Sequence, residues 1–329
     1  MTVMNVRLPR RPRRRLISTT AVAATTMLGL TALSACGSSA ADSKGSDGKL
    51  DVVASFYPMQ YLAEEIGGDH VDVTNLTKPG QEPHDLEVSA QQRAQLEEAD
   101  AAIYLKGLQP AVDEAISQSG ISTKVDAASL TTLEEHGSEV GGHAEEHEGH
   151  DHGGEEGTDP HIWLDPVKYA EVAEGVGKAL QKADPDHAAD YKKNTAALVE
   201  KLGTLSTEFE DGLKNTDSKV FITTHAAFGY LAERYGLTEE AISGLDPESE
   251  PSASRVKDLQ EMAKADGVTT VFYETLVSDK TAKTLANDAK LTTDVLDPIE
   301  GITEKSKGDD YIAVMRSNLA ALQKALGAK

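Results

Sequence analysis

Clustered imidazoles are the chemically most distinctive feature of this chain. Five of its ten histidines lie in one short, low-complexity stretch, at His136, His143, His147, His150 and His152. The neighbouring residues are mostly Glu, Gly and Asp, from which no packed core can be built. Imidazole is a common ligand for zinc, copper and nickel and is largely neutral at physiological pH. The segment at about 134–158 is therefore predicted to be mobile, and it indicates that the chain handles a transition metal. The segment alone does not decide between a main site, an accessory site and a solvated loop without a role.

Three isolated histidines and one aspartate are candidates for a second, more ordered site. His84 follows a predicted strand in PGQEPHDLE, and His161 precedes a helix in TDPHIWLDP. His225 directly follows the strand KVFITT, and Asp297 directly follows the strand TDVL. In open α/β sheets, ligands bind beyond the carboxyl ends of strands, so only the fold can bring these residues together. Taken singly, each is better explained as a loop histidine or a capping aspartate.

Predicted strands and helices alternate along the chain, and these elements must position the candidate residues. Six buried strands are predicted, at residues 50–56, 71–76, 101–105, 219–224, 269–273 and 293–296. Helical segments separate them, and this alternation is typical of parallel sheets covered by helices. We therefore expect an α/β protein with two similar halves.

A long helix is predicted between the two halves. Asp184 and Pro185 form a typical helix start, and leucines and a phenylalanine then recur every three or four residues up to Leu213. A helix of roughly 28 residues is about 40 Å long and could connect two domains, although an ordinary surface helix would show the same periodicity. The expected lobes are 49–184 and 216–329, with the linking helix at 185–215. The two remaining histidines, His70 and His187, are predicted to be solvated.

The amino terminus has the features of an export signal. Residues 1–35 combine six arginines with an apolar stretch that is too short to span a membrane. The sequence LSAC that ends at Cys36 resembles the lipobox of bacterial lipoproteins, in which this cysteine becomes lipid-modified after cleavage. Cys36 is the only cysteine of the chain, so no intrachain disulfide can form. Residues 36–48 are predicted to be a flexible tether.

The charge balance restricts the possible partners. Loss of residues 1–35, which contain no acidic residue, takes the formal charge from −23 to −29. Nucleic-acid binding requires basic patches, so this class of partner is excluded. An acidic surface suits a protein that collects cations outside the membrane.

Five segments of the chain together resemble one protein family. PGQEPHDLE, TDPHIWLDP, VFITTHAAFGYLAERYGL, FYETLVSDKTAKTLA and VLDPIEG occur in this order. They are similar to the metal-binding solute-binding proteins of bacterial ABC transporters, in the ZnuA-like zinc-uptake branch. The resemblance runs from about Leu50 to the carboxyl terminus. It implies two (β/α) lobes joined by one long rigid helix, with the metal in the cleft between them.

The resemblance also implies a set of metal ligands: His84, His161, His225 and Asp297. Three imidazoles with a carboxylate or water suit tetrahedral Zn²⁺. Manganese-binding relatives tend to have a carboxylate in place of the third histidine, so zinc is expected rather than manganese. Glu82 and Glu274 are candidates to hold the ligands in place by hydrogen bonds, although a surface or packing role explains each equally well.

The expected function is therefore extracytoplasmic zinc capture by a lipid-anchored monomer that passes Zn²⁺ to an ABC permease. The alternatives are a manganese or iron carrier of the same fold, a lipid-anchored adhesin and a zinc hydrolase. The hydrolase fits less well, because the lipobox-like sequence and the two-lobed pattern favour a binding protein. The sequence has no HExxH motif, but this is weak evidence, because Glu82 could act as a general base. The histidine-rich segment is expected near the mouth of the cleft as a reservoir, sensor or funnel for zinc, or as a solvated insert without a role.

Overall fold

Two four-stranded parallel sheets form the framework of the protein, one in each half of the chain. The computed structural model describes residues 48–136 and 158–329. The predicted leader, Cys36 and most of the histidine-rich segment (His143, His147, His150 and His152) lie outside these residues. Among the residues described, no helix is both long enough and apolar enough to cross a bilayer.

The first sheet has the strand order β2-β1-β3-β4. Its strands are β1 (Leu50–Ala54), β2 (Val71–Asn75), β3 (Ala101–Tyr104) and β4 (Thr123–Asp126). The helices between them are α1 (Tyr57–Gly67), α2 (Ala90–Glu98) and α3 (Pro110–Gln118). Strand β4 was not predicted, because in its sequence TKVD only Val125 is buried and no apolar alternation is visible.

The second sheet repeats this order as β6-β5-β7-β8. Its strands are β5 (Val220–Thr223), β6 (Thr238–Ala241), β7 (Thr270–Tyr273) and β8 (Thr292–Val295). The second half also contains α6 (Gly229–Tyr235), α7 (Ala253–Ala265), α8 (Lys280–Ala289) and α9 (Tyr311–Leu326). Strand β6, with the sequence TEEA, was missed for the same reason as β4. The prediction of two parallel-sheet α/β lobes is confirmed.

Two long helices lie between the sheets in the sequence, α4 (Pro166–Ala183) and α5 (Ala188–Leu213). The predicted long helix is present, but it begins at Ala188, because Pro185–His187 forms a separate 3-10 turn. Its apolar stripe is buried and packs against α1 and α4 of the first lobe and α9 of the second. Because α5 contacts both lobes along its length, it forms part of their shared core.

His70 and His187, which were predicted to be solvated, are partly exposed and also contact each other. Their rings stack with centroids 3.8 Å apart, and their side chains are only 29 % and 30 % exposed. His70 Nε2 lies 3.1 Å from Asp190 Oδ2, and His187 Nδ1 lies 2.6 Å from Asp184 Oδ2. The pair joins the start of β2 to the start of α5, a long-range contact that sequence spacing cannot reveal.

Trp163 connects the two lobes beside the predicted site. The indole is fully buried, and its Nε1–H donates to the carbonyl oxygen of Pro298 at 2.7 Å. The hydroxyl of Tyr311, at the start of α9, donates to the Trp163 carbonyl at 2.5 Å. The indole also packs on Phe56 and on the ring of His161. The loops that carry His161 and Asp297 are therefore held by core contacts from both halves of the chain.

Candidate metal site

Three imidazole nitrogens from separate parts of the chain converge on one carboxylate oxygen. Glu300 Oε1 lies 3.2 Å from His84 Nε2, 3.5 Å from His161 Nε2 and 3.7 Å from His225 Nε2. The Nε2 atoms of His161 and His225 are 3.4 Å apart. Ligand atoms from all four residues lie within 4.8 Å of one another. This is the arrangement of donors that a tetrahedral metal site requires.

Each lobe contributes two of these four residues, and three of them come after the carboxyl ends of strands. His84 follows β2, and His161 directly precedes the 3-10 turn that leads into α4. His225 follows β5, and Glu300 follows β8. Since the strands of each sheet are parallel, their carboxyl ends lie at one edge of that sheet, where ligands commonly bind.

The site is almost completely shielded from water. The side chains of His161, His225 and Glu300 are at most 1 % exposed, and that of His84 is 12 % exposed. His84 is therefore the ligand candidate nearest to solvent.

Two carboxylates orient the buried imidazoles. His161 Nδ1 lies 2.7 Å from Asp159 Oδ1, which also accepts the backbone N–H of His161 at 2.9 Å. His225 Nδ1 lies 2.7 Å from Glu274 Oε1, and the hydroxyl of Thr224 donates to the same oxygen. A carboxylate at Nδ1 fixes the tautomer, so the lone pair of Nε2 points into the site. Glu274, a candidate for such support from the sequence, makes this contact to His225.

The electrostatics of the site favour a bound cation. Burial alone would lower the pKa of His225, but the adjacent Glu274 carboxylate raises this pKa well above its usual value. Burial would likewise lower the pKa of His161, and the charge of Asp159 raises it above the usual value. Burial would raise the pKa of Glu300, yet hydrogen bonds to the three histidines hold it well below its usual range. The charges around the imidazoles therefore stabilise positive charge, which a divalent cation supplies.

Glu300, and not Asp297, is the carboxylate that the fold brings to the histidines. Asp297 Oδ1 accepts the backbone N–H of Ile299 at 2.8 Å, and Oδ2 accepts the hydroxyl of Thr275 at 3.2 Å. An aspartate at the start of a turn commonly binds the backbone two residues later. The sequence-based assignment of Asp297 as a ligand is thus corrected to Glu300, three residues further along VLDPIEG.

Glu82 supports the loop of His84 and not its ring. Glu82 Oε1 accepts the backbone N–H of His84 at 3.1 Å, and Oε2 accepts that of Asp85 at 3.3 Å. Burial, followed by the negative charge of Glu300, raises the pKa of Glu82. The residue therefore shapes the turn and adds negative charge near the site.

His136 is the one member of the histidine-rich segment within the described residues. Its Nδ1 lies 3.0 Å from Asp159 Oδ2, and its Nε2 lies 2.9 Å from Glu233 Oε2. Glu134, His136 and Glu233 form a second group whose ligand atoms are close enough to share a metal ion. Asp159 therefore contacts one imidazole in each group, His161 through Oδ1 and His136 through Oδ2.

Sequence reasoning missed Glu300 and Asp159. Both occur in the quoted motifs, Glu300 in VLDPIEG and Asp159 in TDPHIWLDP. The position of Asp159 two residues before His161 is a usable signal, because an aspartate there can accept the N–H of the histidine. The choice between Asp297 and Glu300 depends on the course of the turn between them, which the sequence pattern does not encode.

The donor set suits zinc. Three imidazole nitrogens and one carboxylate oxygen match the usual ligands of Zn²⁺, whereas Mn²⁺ prefers oxygen. Glu300 Oε2 is buried and has no hydrogen-bond partner among the described residues. A buried oxygen of this kind is costly unless it is paired, and a metal ion at the site would pair it.

Comparison with known proteins agrees with this chemistry. The family model "Zinc-uptake complex component A periplasmic" (ZnuA) matches residues 52–325. The zinc-binding lipoprotein AdcA of Streptococcus pneumoniae strain R6 is 37 % identical over 286 residues, covering 85 % of this chain and 56 % of AdcA. This chain thus spans little more than half the length of AdcA. The high-affinity zinc uptake system protein ZnuA of Bacillus subtilis strain 168 is 38 % identical over 307 residues, covering 89 % of this chain and 93 % of ZnuA.

A solved structure shares the fold over most of the chain. The laminin-binding protein Lmb of Streptococcus agalactiae, described as bifunctional with adhesin and metal-transporting activity, superposes with a TM-score of 0.73 at 30 % identity. The match covers 84 % of this chain and 99 % of Lmb. With the match of the family model to residues 52–325, these similarities show that the chain belongs to the ZnuA family of zinc-uptake components.

Proposed function

We propose that this protein captures Zn²⁺ outside the cytoplasmic membrane and delivers it to an ABC permease. The observation that carries the proposal is the convergence of His84, His161 and His225 on Glu300. The relatives named above are described as zinc-binding or zinc-uptake proteins, which supports the same cargo.

The four residues are proposed to act as the ligands of the transported ion. His84 is the most exposed of them and lies at the entrance, so it meets the ion first. Asp159 and Glu274 hold the rings of His161 and His225 in place, so these side chains lose little conformational freedom when the ion binds. Because two ligands come from each lobe, release requires that the lobes or their loops separate slightly.

Zinc selectivity is proposed to come from the third imidazole, His225. The test is metal analysis of protein purified without added metal, followed by competition between zinc and manganese. We expect one tightly bound Zn²⁺ per chain and displacement of Mn²⁺ by Zn²⁺. Preferential retention of manganese or iron would instead favour the alternative carrier function.

The lipobox-like sequence supports a location at the outer face of the membrane. We propose that Cys36 carries the lipid, that residues 36–48 are the tether, and that the protein acts as a monomer. Cys36→Ser in the full-length chain should move the protein from the membrane fraction to the soluble fraction without changing zinc affinity. Retention in the membrane fraction would contradict the anchor.

The histidine-rich segment is proposed to be an accessory binding region that starts at His136. A side chain at position 229 would place its Cβ 2.5 Å from His136 Cβ, so Gly229 leaves room for this ring. His136 Nε2 faces Glu233, with Glu134 close by, and residues 143–152 supply the remaining histidines. His136→Ala should remove one weak zinc equivalent from a calorimetric titration and leave the tight one. An unchanged number of weak sites would contradict this role.

Adhesion is a second candidate function, favoured by the similarity to Lmb, whose description names both adhesin and metal-transporting activity. The test is binding of the zinc-loaded and metal-free protein to immobilised laminin. Saturable binding that an excess of soluble laminin abolishes would support adhesion, and binding no stronger than that of an unrelated acidic protein would exclude it.

A further inference from the structure

The turn that carries Glu300 contains a residue in an uncommon backbone conformation. Among the residues that the structure describes, only Lys290 and Ile299 are non-glycine residues with positive φ. Lys290 ends helix α8, where the left-handed conformation is common. Ile299 has φ +59° outside any helix, and a β-branched side chain disfavours this region strongly. Such strain persists only where the surroundings enforce it, and it is concentrated at ligand clamps and active sites.

Asp297 is the residue that enforces this conformation from within the turn. Its Oδ1 accepts the N–H of Ile299, and its Oδ2 accepts the hydroxyl of Thr275 on the loop after β7. Its own backbone is fixed by Asn318 of α9, which donates to the Asp297 carbonyl at 2.7 Å and accepts the Asp297 N–H at 2.9 Å. Asp297 and Asn318 are both 2 % exposed, so water does not compete with these bonds.

A contact from the other lobe fixes the middle of the turn. The indole N–H of Trp163 donates to the carbonyl of Pro298, and the side chain of Ile299 is fully buried. The strained residue is therefore held from both lobes. The next residue is Glu300, so the backbone direction at Ile299 decides where the Glu300 carboxylate points.

We propose that Asp297 is a positioning residue for the zinc site. It holds Ile299 in the left-handed conformation and so keeps Glu300 Oε1 close to the Nε2 atoms of the three histidines. This inference rests on the proposed zinc-binding function. It gives Asp297 a role without direct contact to the ion. Loss of the hydrogen bond from Ile299 lets the turn relax toward an ordinary conformation, which moves Glu300 away and speeds the release of zinc.

Two substitutions at position 297 separate positioning from ligation. Asp297→Asn keeps a side-chain oxygen for the Ile299 N–H, whereas Asp297→Ala removes it. We expect Asp297→Ala to weaken zinc binding by about tenfold with faster dissociation, as is usual for residues that orient a ligand. We expect Asp297→Asn to retain nearly the wild-type affinity. Asp294→Asn is the matched control, because this aspartate of β8 pairs with Lys307 and Lys324. It should change neither the zinc affinity nor the dissociation rate.

A double-mutant cycle with Glu300→Gln tests whether Asp297 acts through Glu300. If it does, Asp297→Ala has little further effect on zinc affinity and dissociation rate in the Glu300→Gln background. Additive effects, as a general structural role would give, overturn the proposal. A loss in Asp297→Asn as large as that in Glu300→Gln also overturns it and favours Asp297 as a ligand.

The double-mutant cycle still tests the proposal if one variant does not fold. Should Asp297→Ala fail to fold, Thr275→Val, which removes the second bond to Asp297, replaces it in the cycle. The expected result is a smaller loss that disappears in the Glu300→Gln background, and persistence of the loss overturns the proposal. Failure of the wild-type protein to bind zinc would refute the proposed function itself, whereas wild-type binding with no coupling refutes only this inference.

Discussion

Glu274 Oε1 lies 2.7 Å from Nδ1 of His225, on the side of the ring away from the Nε2 atom that faces the site. Glu274 directly follows β7 and is 4 % exposed, so this carboxylate is kept buried next to a ligand candidate. Burying a charge without compensation is costly. The imidazole and the hydroxyl of Thr224 compensate it at Oε1, whereas Oε2 is buried without a hydrogen-bond partner among the described residues. The carboxylate in turn makes the His225 ring a stronger donor to a metal ion.

Loss of the Glu274 charge should weaken zinc binding. Glu274→Gln keeps the size of the side chain but removes the charge that polarises His225, and we expect a loss of affinity of about ten- to a hundredfold. The measurement is competition with a zinc chelator of known affinity. Asp294→Asn is the control, because Asp294 pairs with Lys307 and Lys324 and is not one of the four ligand candidates. Equal losses in the two variants would contradict the assigned role of Glu274.

Alanine substitutions at two glycines of the long helices should change the free energy of unfolding in opposite directions. A Cβ at Gly177 of α4 would overlap Thr195 Oγ1 of α5, so Gly177→Ala should lower the free energy of unfolding by about 1–3 kcal/mol. Gly203 of α5 is exposed, and a Cβ added there would have no other side chain within 4 Å, so Gly203→Ala should raise this free energy by about 0.5–1 kcal/mol. Chemical denaturation of the metal-free protein measures both. A stabilising effect of Gly177→Ala would show that α4 and α5 are not packed as closely as described.

The stability of the protein should fall as Glu239 ionises. Burial raises the pKa of Glu239 to about 7, while hydrogen bonds from Thr223 and Phe228 lower it in part. The folded state thus holds this proton more tightly than the unfolded state does, so the contribution of Glu239 is most favourable below its unfolded pKa of about 4.5. It declines as the pH rises through 7, by about 3 kcal/mol in total.

Glu239→Gln cannot ionise and should lack this decline. The free energy of unfolding of wild type and variant is compared at pH 5 and pH 8, without metal. We expect the variant to gain stability relative to wild type on going to pH 8. A difference between the two proteins that stays constant across this range would show that Glu239 does not titrate there.

Removal of the histidine-rich segment should affect only weak binding. Replacing residues 137–156 with a short Gly/Ser linker leaves His136, Asp159 and His161 in place. Calorimetry should then show one tight zinc site, with loss of the weaker equivalents that depend on His143, His147, His150 and His152. Disappearance of the tight site would mean that the segment, and not the site at Glu300, holds the transported ion.

The sequence allowed the general fold and the three histidines to be predicted, because each depends on a local pattern. Strand–helix alternation and the apolar stripe of α5 are readable from residue spacing. His84, His161 and His225 were placed by their motifs, and the structure brings them together. Strands β4 and β6 were not predicted, because these short edge strands contain polar residues and lack a regular spacing of apolar residues.

The fourth member of the site was not predictable in this way. Choosing between Asp297 and Glu300 requires the backbone path through Ile299, which depends on Asn318 of α9 and Trp163 of the other lobe. These are contacts between residues that are distant in the sequence. The stacking of His70 on His187 was missed for the same reason.

The most direct test of the zinc site is titration of the metal-free protein with Zn²⁺, in wild type and in the variants His84→Ala, His161→Ala, His225→Ala and Glu300→Gln. Trp163 is the only tryptophan and its ring lies 5.1 Å from that of His161, so its fluorescence reports binding at the site. We expect one tight equivalent in the wild type and a loss of at least about tenfold in affinity, or about 1.4 kcal/mol, in each histidine variant. Unchanged tight binding in all three histidine variants would contradict the account.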